Sequence, residues 1–267
     1  MDMNRLFSLT GRVALVTGAS RGLGRMIAEG FLMAGAARVY VTARGAGQLA
    51  AVTDALGENC LPLVGDLSTG EGVEAIAAAL GRREERLDIL VNNAGGAWSA
   101  RFEDFPQAEW DRVLALNLRA PFYLTQRLHG LLKAAGRPDR PAKVIHIASA
   151  DGLKPNPWET YPYQASKAAL LQLTRRMAAR LASDHIIVNA IAPGMFATKM
   201  NRAAARAGDA VAAHIPARRL GDAEDMAGAA IYLASRAGDY VMGSTLVVDG
   251  GWVNATVPTD FVSPGGE

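Results

Sequence analysis

Thr17-Gly18-Ala19-Ser20-Arg21-Gly22-Leu23-Gly24 follows the apolar run Val13-Ala14-Leu15-Val16 and leads into Arg25-Met26-Ile27-Ala28-Glu29. Four apolar residues in succession read as a strand buried on both faces, and Leu23, Ile27 and Phe31 recur at helical spacing. The stretch is therefore a strand, a glycine turn and a helix. Gly18 permits a tight turn, Gly22 lets the backbone approach a pyrophosphate, and Gly24 lets the helix lie close to the strand. The first N–H groups of the helix are left to bind phosphate oxygens. The spacing is Gly-x-x-x-Gly-x-Gly, and the flanking strand and helix distinguish it from a chance glycine loop.

The 267 residues are 50% hydrophobic, enough for one large core, and no linker divides them, so one domain is expected over 1–267. The 28 basic and 26 acidic residues leave +2 without a block of like charge, which gives no support to a nucleic-acid groove or a polybasic membrane surface. The single cysteine, Cys60, rules out an intramolecular disulfide and fits a reducing compartment. No run of 18 apolar residues occurs and Met1-Asp2-Met3-Asn4-Arg5 lacks the apolar core of a signal peptide, so a cytoplasmic location is expected.

Short branched runs alternate with longer Ala/Leu-rich segments along the chain. That pattern predicts an α/β doubly wound Rossmann fold, a seven-stranded parallel sheet with helices on both faces. Strands are expected near Val13–Val16, Val39–Thr42, Leu61–Val64, Ile89–Val91, Val144–Ala148, Ile186–Ala190 and Leu246–Val248. Such a sheet binds ligand at the carboxyl ends of its strands, so the residues that follow each strand are the ones to read.

After the second strand, Ala43 stands where a carboxylate would bond the ribose 2′-hydroxyl of NAD, and Arg44 offers donors suited to a 2′-phosphate. Arg21 is a second cation aimed at the same region; the alternative is a pair of surface arginines. After the third strand, Asp66 either accepts from an adenine amino group or caps the next helix. Asn92-Asn93-Ala94-Gly95-Gly96 follows the fourth strand, its small residues letting a cofactor lie on the backbone. Ser149 stands at the end of the fifth strand, and Tyr163 and Lys167, four apart, share one face of an Ala/Leu-rich helix. A phenol titrates near ~10 in water, and a neighbouring cation together with oxidised nicotinamide is expected to lower that value. Tyr161 lies on another face and is a decoy. His129, His146, His185 and His214 form no nucleophile triad, and no metal-ligating cluster is expected.

Thr17–Gly24, Asn92–Gly95 and Tyr163-Gln164-Ala165-Ser166-Lys167, in that order from about Leu9 to Trp252, resemble the short-chain dehydrogenase/reductase family. The similarity is greatest to its β-ketoacyl reductase subgroup, including the branch associated with rhamnolipid synthesis. The resemblance implies a homotetrameric NAD(P)-dependent oxidoreductase, for which Arg21, Arg44 and the neutral Ala43 favour NADP(H). It implies a cofactor site made by Gly18, Ser20, Arg21, Gly22, Leu23, Gly24, Arg44, Asp66, Leu67, Asn93, Ala94, Gly95, Tyr163, Lys167, Pro193, Gly194, Phe196 and Thr198. It also implies Asn117, Ser149, Tyr163 and Lys167 as the catalytic set, Asn117 kinking the helix expected over Pro106 to Leu132 and holding a relay water. Read without the family, Asn117 is a satisfied core amide. Residues 195–216 would be a substrate lid, and 253–267 a tail at a subunit contact or without order. Where the carrier-protein reductases dock their acidic partner through a basic residue, this chain has Asp184, which disfavours an acyl-carrier protein as partner. The expected activity is NADPH-dependent reduction of a ketone, a β-ketoacyl thioester or another apolar ketone, the apolar Trp98, Trp158 and Met200 reading either as the lining for an acyl substrate or as ordinary packing under a loop. The alternatives are a polyol, sugar or steroid dehydrogenase and a catalytically silent NADP-binding sensor.

Overall fold

The computed structural model describes residues 2–197 and 208–255. Its strands are β1 (Val13–Val16), β2 (Arg38–Ala43), β3 (Cys60–Val64), β4 (Ile89–Asn92), β5 (Ala142–Ile147), β6 (Ile186–Pro193) and β7 (Thr245–Val248). They form one seven-stranded sheet in the order β3-β2-β1-β4-β5-β6-β7, every pairing parallel. β6 runs to Pro193, three residues beyond the expected end, so the Pro-Gly pair caps a strand that pairs Pro193 with Val248. Pro62 lies in β3, an edge strand, where a missing N–H costs least.

Helices α1 (Met3–Phe7), α2 (Gly22–Met33), α3 (Ala46–Leu56), α4 (Gly70–Gly81), α5 (Gln107–Leu114), α6 (Ala120–Arg127), α7 (His129–Ala135) and α8 (Tyr161–Leu181) precede a last long helix, Ala223–Ala234. Alternate residues of each strand serve opposite layers, as the pleat requires. Ala14, Val16, Ile145 and Ile191 pack with Ile27 and Phe31 of α2 and with Met226 and Leu233 of the last helix. Val13, Leu15, Val144 and Val188 pack with Ile76, Leu124, Leu132 and Met177 on the other face. No helix among the described residues is long and apolar enough to cross a membrane.

The helix expected over Pro106 to Leu132 is broken into α5, a π-helical turn at Ala115–Arg119, α6 and α7. Asn117 sits in that π turn, only 1% exposed. One face of this assembly and of α8 remains open, lined by Leu114, Ala115, Leu118, Phe122 and Leu173. Leu171 and Ala178 of α8 are buried against the sheet. Their side chains fall on the inner stripe of α8, and only the register of that helix on the sheet assigns them to it.

Candidate active site

β1 and β4 are neighbours in space although 70-odd residues separate them, and the reversal of strand order there opens a crevice at their carboxyl ends. Thr17 closes its floor: Oγ1 donates to the Val91 carbonyl at 3.2 Å and accepts from the N–H groups of Asn93 and Ala94 at 2.9 Å each. The Asn93 amide donates to the carbonyls of Thr17 (2.7 Å) and Gly18 (3.2 Å), so its donors brace the glycine turn. Gly18 adopts φ +65°, and a Cβ there would meet the Ala94 Cα at 2.8 Å; at Gly24 a Cβ would meet Asn93 Nδ2 at 2.4 Å. Side chains cannot enter these positions without prying the two loops apart. The N-cap residue of α2, Arg21, makes no side-chain capping bond, and no acidic residue occupies the first turn. A cradle of bare backbone facing an uncapped helix start fits a pyrophosphate.

Deeper in the crevice, Ser149 follows β5 and hydrogen-bonds the Tyr163 hydroxyl. Lys167 Nζ lies 5.7 Å from the Tyr163 ring centroid and donates to the Ile147 carbonyl at 2.6 Å. A Cβ on Gly95 would come within 3.2 Å of Asn117 Oδ1 and 3.7 Å of Lys167 Nζ, which places the turn after β4 against both side chains. Asn117 Oδ1 accepts from the Gly96 N–H (2.8 Å), and Nδ2 donates to the Gly96 carbonyl (2.9 Å) and to Ser166 Oγ (3.0 Å). Ser166 Oγ in turn donates to the Tyr163 carbonyl at 2.7 Å. The π turn, the loop after β4 and the first turn of α8 are thereby tied together. Tyr161 points elsewhere, its hydroxyl donating to Glu159, and lines an outer hollow of about 570 Å³ with Phe102, Phe105 and Trp110.

The residues of the family described as Enoyl-(Acyl carrier protein) reductase match positions 18–253. The chain is 45% identical over 255 residues to the rhamnolipids biosynthesis 3-oxoacyl-[acyl-carrier-protein] reductase of Pseudomonas aeruginosa, covering 94% of this chain and 99% of that protein. Its fold matches the Pseudomonas aeruginosa RhlG/NADP active-site complex with a TM-score of 0.90 at 44% identity, covering 94% of this chain and 100% of that one. It also matches a gluconate 5-dehydrogenase from Burkholderia cenocepacia in complex with NADP and tartrate, TM-score 0.87 at 35% identity, over 96% and 100% of the two chains. The chain belongs to the short-chain dehydrogenase/reductase family.

As an oxidoreductase of that family it sets the charge states of its site, in the protein alone, by burial. Burial pushes the Tyr163 phenol up to about 12, with the Asp151 carboxylate adding to the rise and the Ser149 hydrogen bond opposing it. The neighbouring cation does not lower it in the protein alone, since Lys167 is itself pushed down to about 8 by the same burial. Asp66 does not cap α4, a task taken by Thr69; its carboxylate accepts from Ser68 N–H (2.9 Å) and Oγ (2.7 Å) and faces Arg44 at 4.0 Å. Arg44 leaves the end of β2 with its side chain 77% exposed, and Arg21 is exposed at the start of α2. Phe196 is buried, its ring against Gly221, and Gly194 lies against Asp249 beside Pro193. Thr198 and Met200, with 198–207 of the expected lid and 256–267 of the tail, lie outside the described residues.

Asp184 is not an exposed anion. Lys133 (2.8 Å), His129 (3.0 Å) and Arg180 (3.2 Å) enclose it and hold its carboxyl well below the usual range, Lys133 most of all. The surface there is cationic despite the aspartate. Thr17, Ser166 and Asp151 are neighbours of the candidate site to which motif reading gave no role. Thr17 alone left a signal, a hydroxyl directly after a buried strand.

Proposed function

We propose that this chain is an NADPH-dependent carbonyl reductase acting on a β-ketoacyl thioester or another apolar ketone. The observation that carries the reading is the hydrogen-bonded Ser149–Tyr163 pair, with the buried Lys167 Nζ 5.7 Å from the Tyr163 ring centroid and Gly95 packed beside that ammonium. Bound NADPH supplies the hydride. Ser149 Oγ donates to the ketone oxygen and holds it against the Tyr163 hydroxyl. A phenol pushed up to about 12 is fully protonated at neutral pH, so Tyr163 stands ready as the acid that gives its proton to the oxygen. Lys167, near 8, is mostly ammonium at neutral pH and can resupply that proton. The π turn holding Asn117 is where we place the relay water, and the Asn117 side chain keeps the surrounding loops in register.

The glycine turn, Asn93 to Gly95, and the Pro193-Gly194 pair we assign to the dinucleotide, with Thr198 on its carboxamide side. Arg21 and Arg44 we assign to the 2′-phosphate, and Asp66 to the adenine. Trp98, Leu153 and Trp158, each about two-fifths exposed, stand on the loops after β4 and β5, which the Ala100 N–H to Glu159 carbonyl bond (3.3 Å) joins. An apolar acyl chain fits such a rim. We also infer a cytoplasmic homotetramer built on the open face of α5, α6 and α8, whose exposed Phe122 beside Leu114, Leu118 and Leu173 favours association.

The test is a panel of β-ketoacyl thioesters on coenzyme A and on carrier protein, free diketones, and gluconate-type sugar acids, followed by NADPH absorbance. Reduction of a thioester or diketone with kcat/KM above that for every sugar acid is the expected result. Turnover of sugar acids alone would overturn the substrate reading in favour of a sugar dehydrogenase.

A further inference from the structure

Lys167 Nζ is buried, and the partner it reaches, the Ile147 carbonyl, is neutral. A buried ammonium needs an opposing charge, because the interior replaces little of the hydration it has lost. The carboxylate that acts on it belongs to Asp151, a residue outside the catalytic set read from the sequence.

Asp151 stands on the 3-10 turn Ala150–Gly152 that starts at Ser149, and its N–H donates to Ser149 Oγ at 3.1 Å. The next residue, Gly152, lies so close to α8 that a Cβ there would meet the Lys167 carbonyl carbon at 2.7 Å. The turn is therefore pressed onto α8 at the lysine itself. The turn that carries the half-buried Asp151 is thus fixed between Ser149, two residues earlier, and the backbone of α8 at Lys167, and the charge of its carboxylate reaches both Lys167 and Tyr163.

We propose that Asp151 is the counter-charge of the catalytic site, a positioning residue whose carboxylate keeps Lys167 in its ammonium form and Tyr163 in its phenol form. The inference rests on the carbonyl reductase reading for what those two groups do. Its sign follows from Coulomb's law. A nearby anion stabilises a cation and destabilises a phenolate, so it raises both groups, and its removal lowers both. Lys167, already pushed down to about 8 by burial, would then fall toward neutral pH and lose its charge where the enzyme works. The other titratable groups around the trio do not replace it. His146 of β5 is neutral, burial first and the charge of Lys167 second having pushed it down to about 3. Lys154, on the segment after the turn, directs its ammonium to the Trp252 carbonyl (3.2 Å) and ring (5.1 Å). Burial lifts the Asp151 carboxyl, while Asn156 and Lys167 pull it back toward the charged form.

The experiment titrates Lys167 directly in the cofactor-free protein, by NMR of lysine labelled with carbon-13 at Cε, the Lys167 signal being assigned by its absence in Lys167→Arg. Asp151→Asn should move the Lys167 midpoint down by about half a unit to one unit, and Asp151→Glu should leave it near the wild-type value. In the loaded enzyme the alkaline limb of the pH profile for ketone reduction should move the same way in Asp151→Asn. Asp151→Ser provides the same loss of charge if the asparagine variant does not fold. An unmoved lysine midpoint in a folded neutral variant overturns the proposal, even if kcat falls, because that is what a purely structural role would give. Should the wild-type protein reduce no ketone, the reductase reading fails by itself, and the lysine titration still decides whether Asp151 is the counter-charge.

Discussion

Replacing Asn117 by alanine removes an amide that is 1% exposed and that makes three hydrogen bonds, two to Gly96 and one to Ser166. Each such bond contributes about 1 kcal/mol net, and a buried backbone group left without a partner costs about 1–3 kcal/mol. Gly96 is only half-buried, so water can recover part of that second cost. The expected destabilisation is therefore about 3 kcal/mol, or a fall in Tm of about 6–12 °C for a chain of this size. Asn117→Asp keeps an acceptor for the Gly96 N–H but sets a buried carboxylate against the Gly96 carbonyl in place of a donor, so it should destabilise at least as much as alanine. The Ser166 link to the Tyr163 carbonyl also loosens, and kcat should fall by a larger factor than the cofactor Kd rises. Calorimetry and urea midpoints measure the first effect, steady-state kinetics and cofactor titration the second. A Tm for Asn117→Ala within about 2 °C of wild type would refute the reasoning, since the amide could not then be the buried tie between the π turn, the loop after β4 and α8.

Tyr163→Phe should lower kcat by roughly 10²-fold or more and leave NADPH binding nearly unchanged, whereas Tyr161→Phe should be close to silent; stopped-flow turnover beside fluorescence titration separates the two. Arg44→Ala should raise the KM for NADPH about five- to tenfold and leave that for NADH alone, a charge-assisted bond of about 1–1.5 kcal/mol after allowance for its 77% exposure. Equal weakening of both cofactors would make Arg44 an ordinary surface residue. Light scattering at micromolar concentration should report four chains, and Phe122→Arg on the open face should reduce that number.

Local readings survived into the structure because their causes are local. The run Val13–Val16, the glycines that follow it and Ile27 with Phe31 specify strand, turn and helix through backbone freedom and side-chain period, and β1 and α2 lie where those residues put them. The branched runs similarly gave seven parallel strands, with errors confined to ends such as β6, which continues to Pro193 because β7 is there to pair with it. The motif residues Ser149, Tyr163 and Lys167 were legible by type and spacing. Their charge states were not. Burial sets the phenol high and the ammonium low, and burial is a property of everything packed around a group. That Leu171 and Ala178 of α8 face inward is set by the register of that helix on the sheet. Thr17 bracing a turn 76 residues away, Asn93 spent on the Thr17 and Gly18 carbonyls, and Ser166 joining Asn117 to the catalytic helix are contacts between distant segments. By itself the sequence determined which chemistry could be present and at which strand ends. The tertiary structure alone decided which groups meet and which protons they hold, because contact and desolvation depend on chain segments that no local pattern encodes.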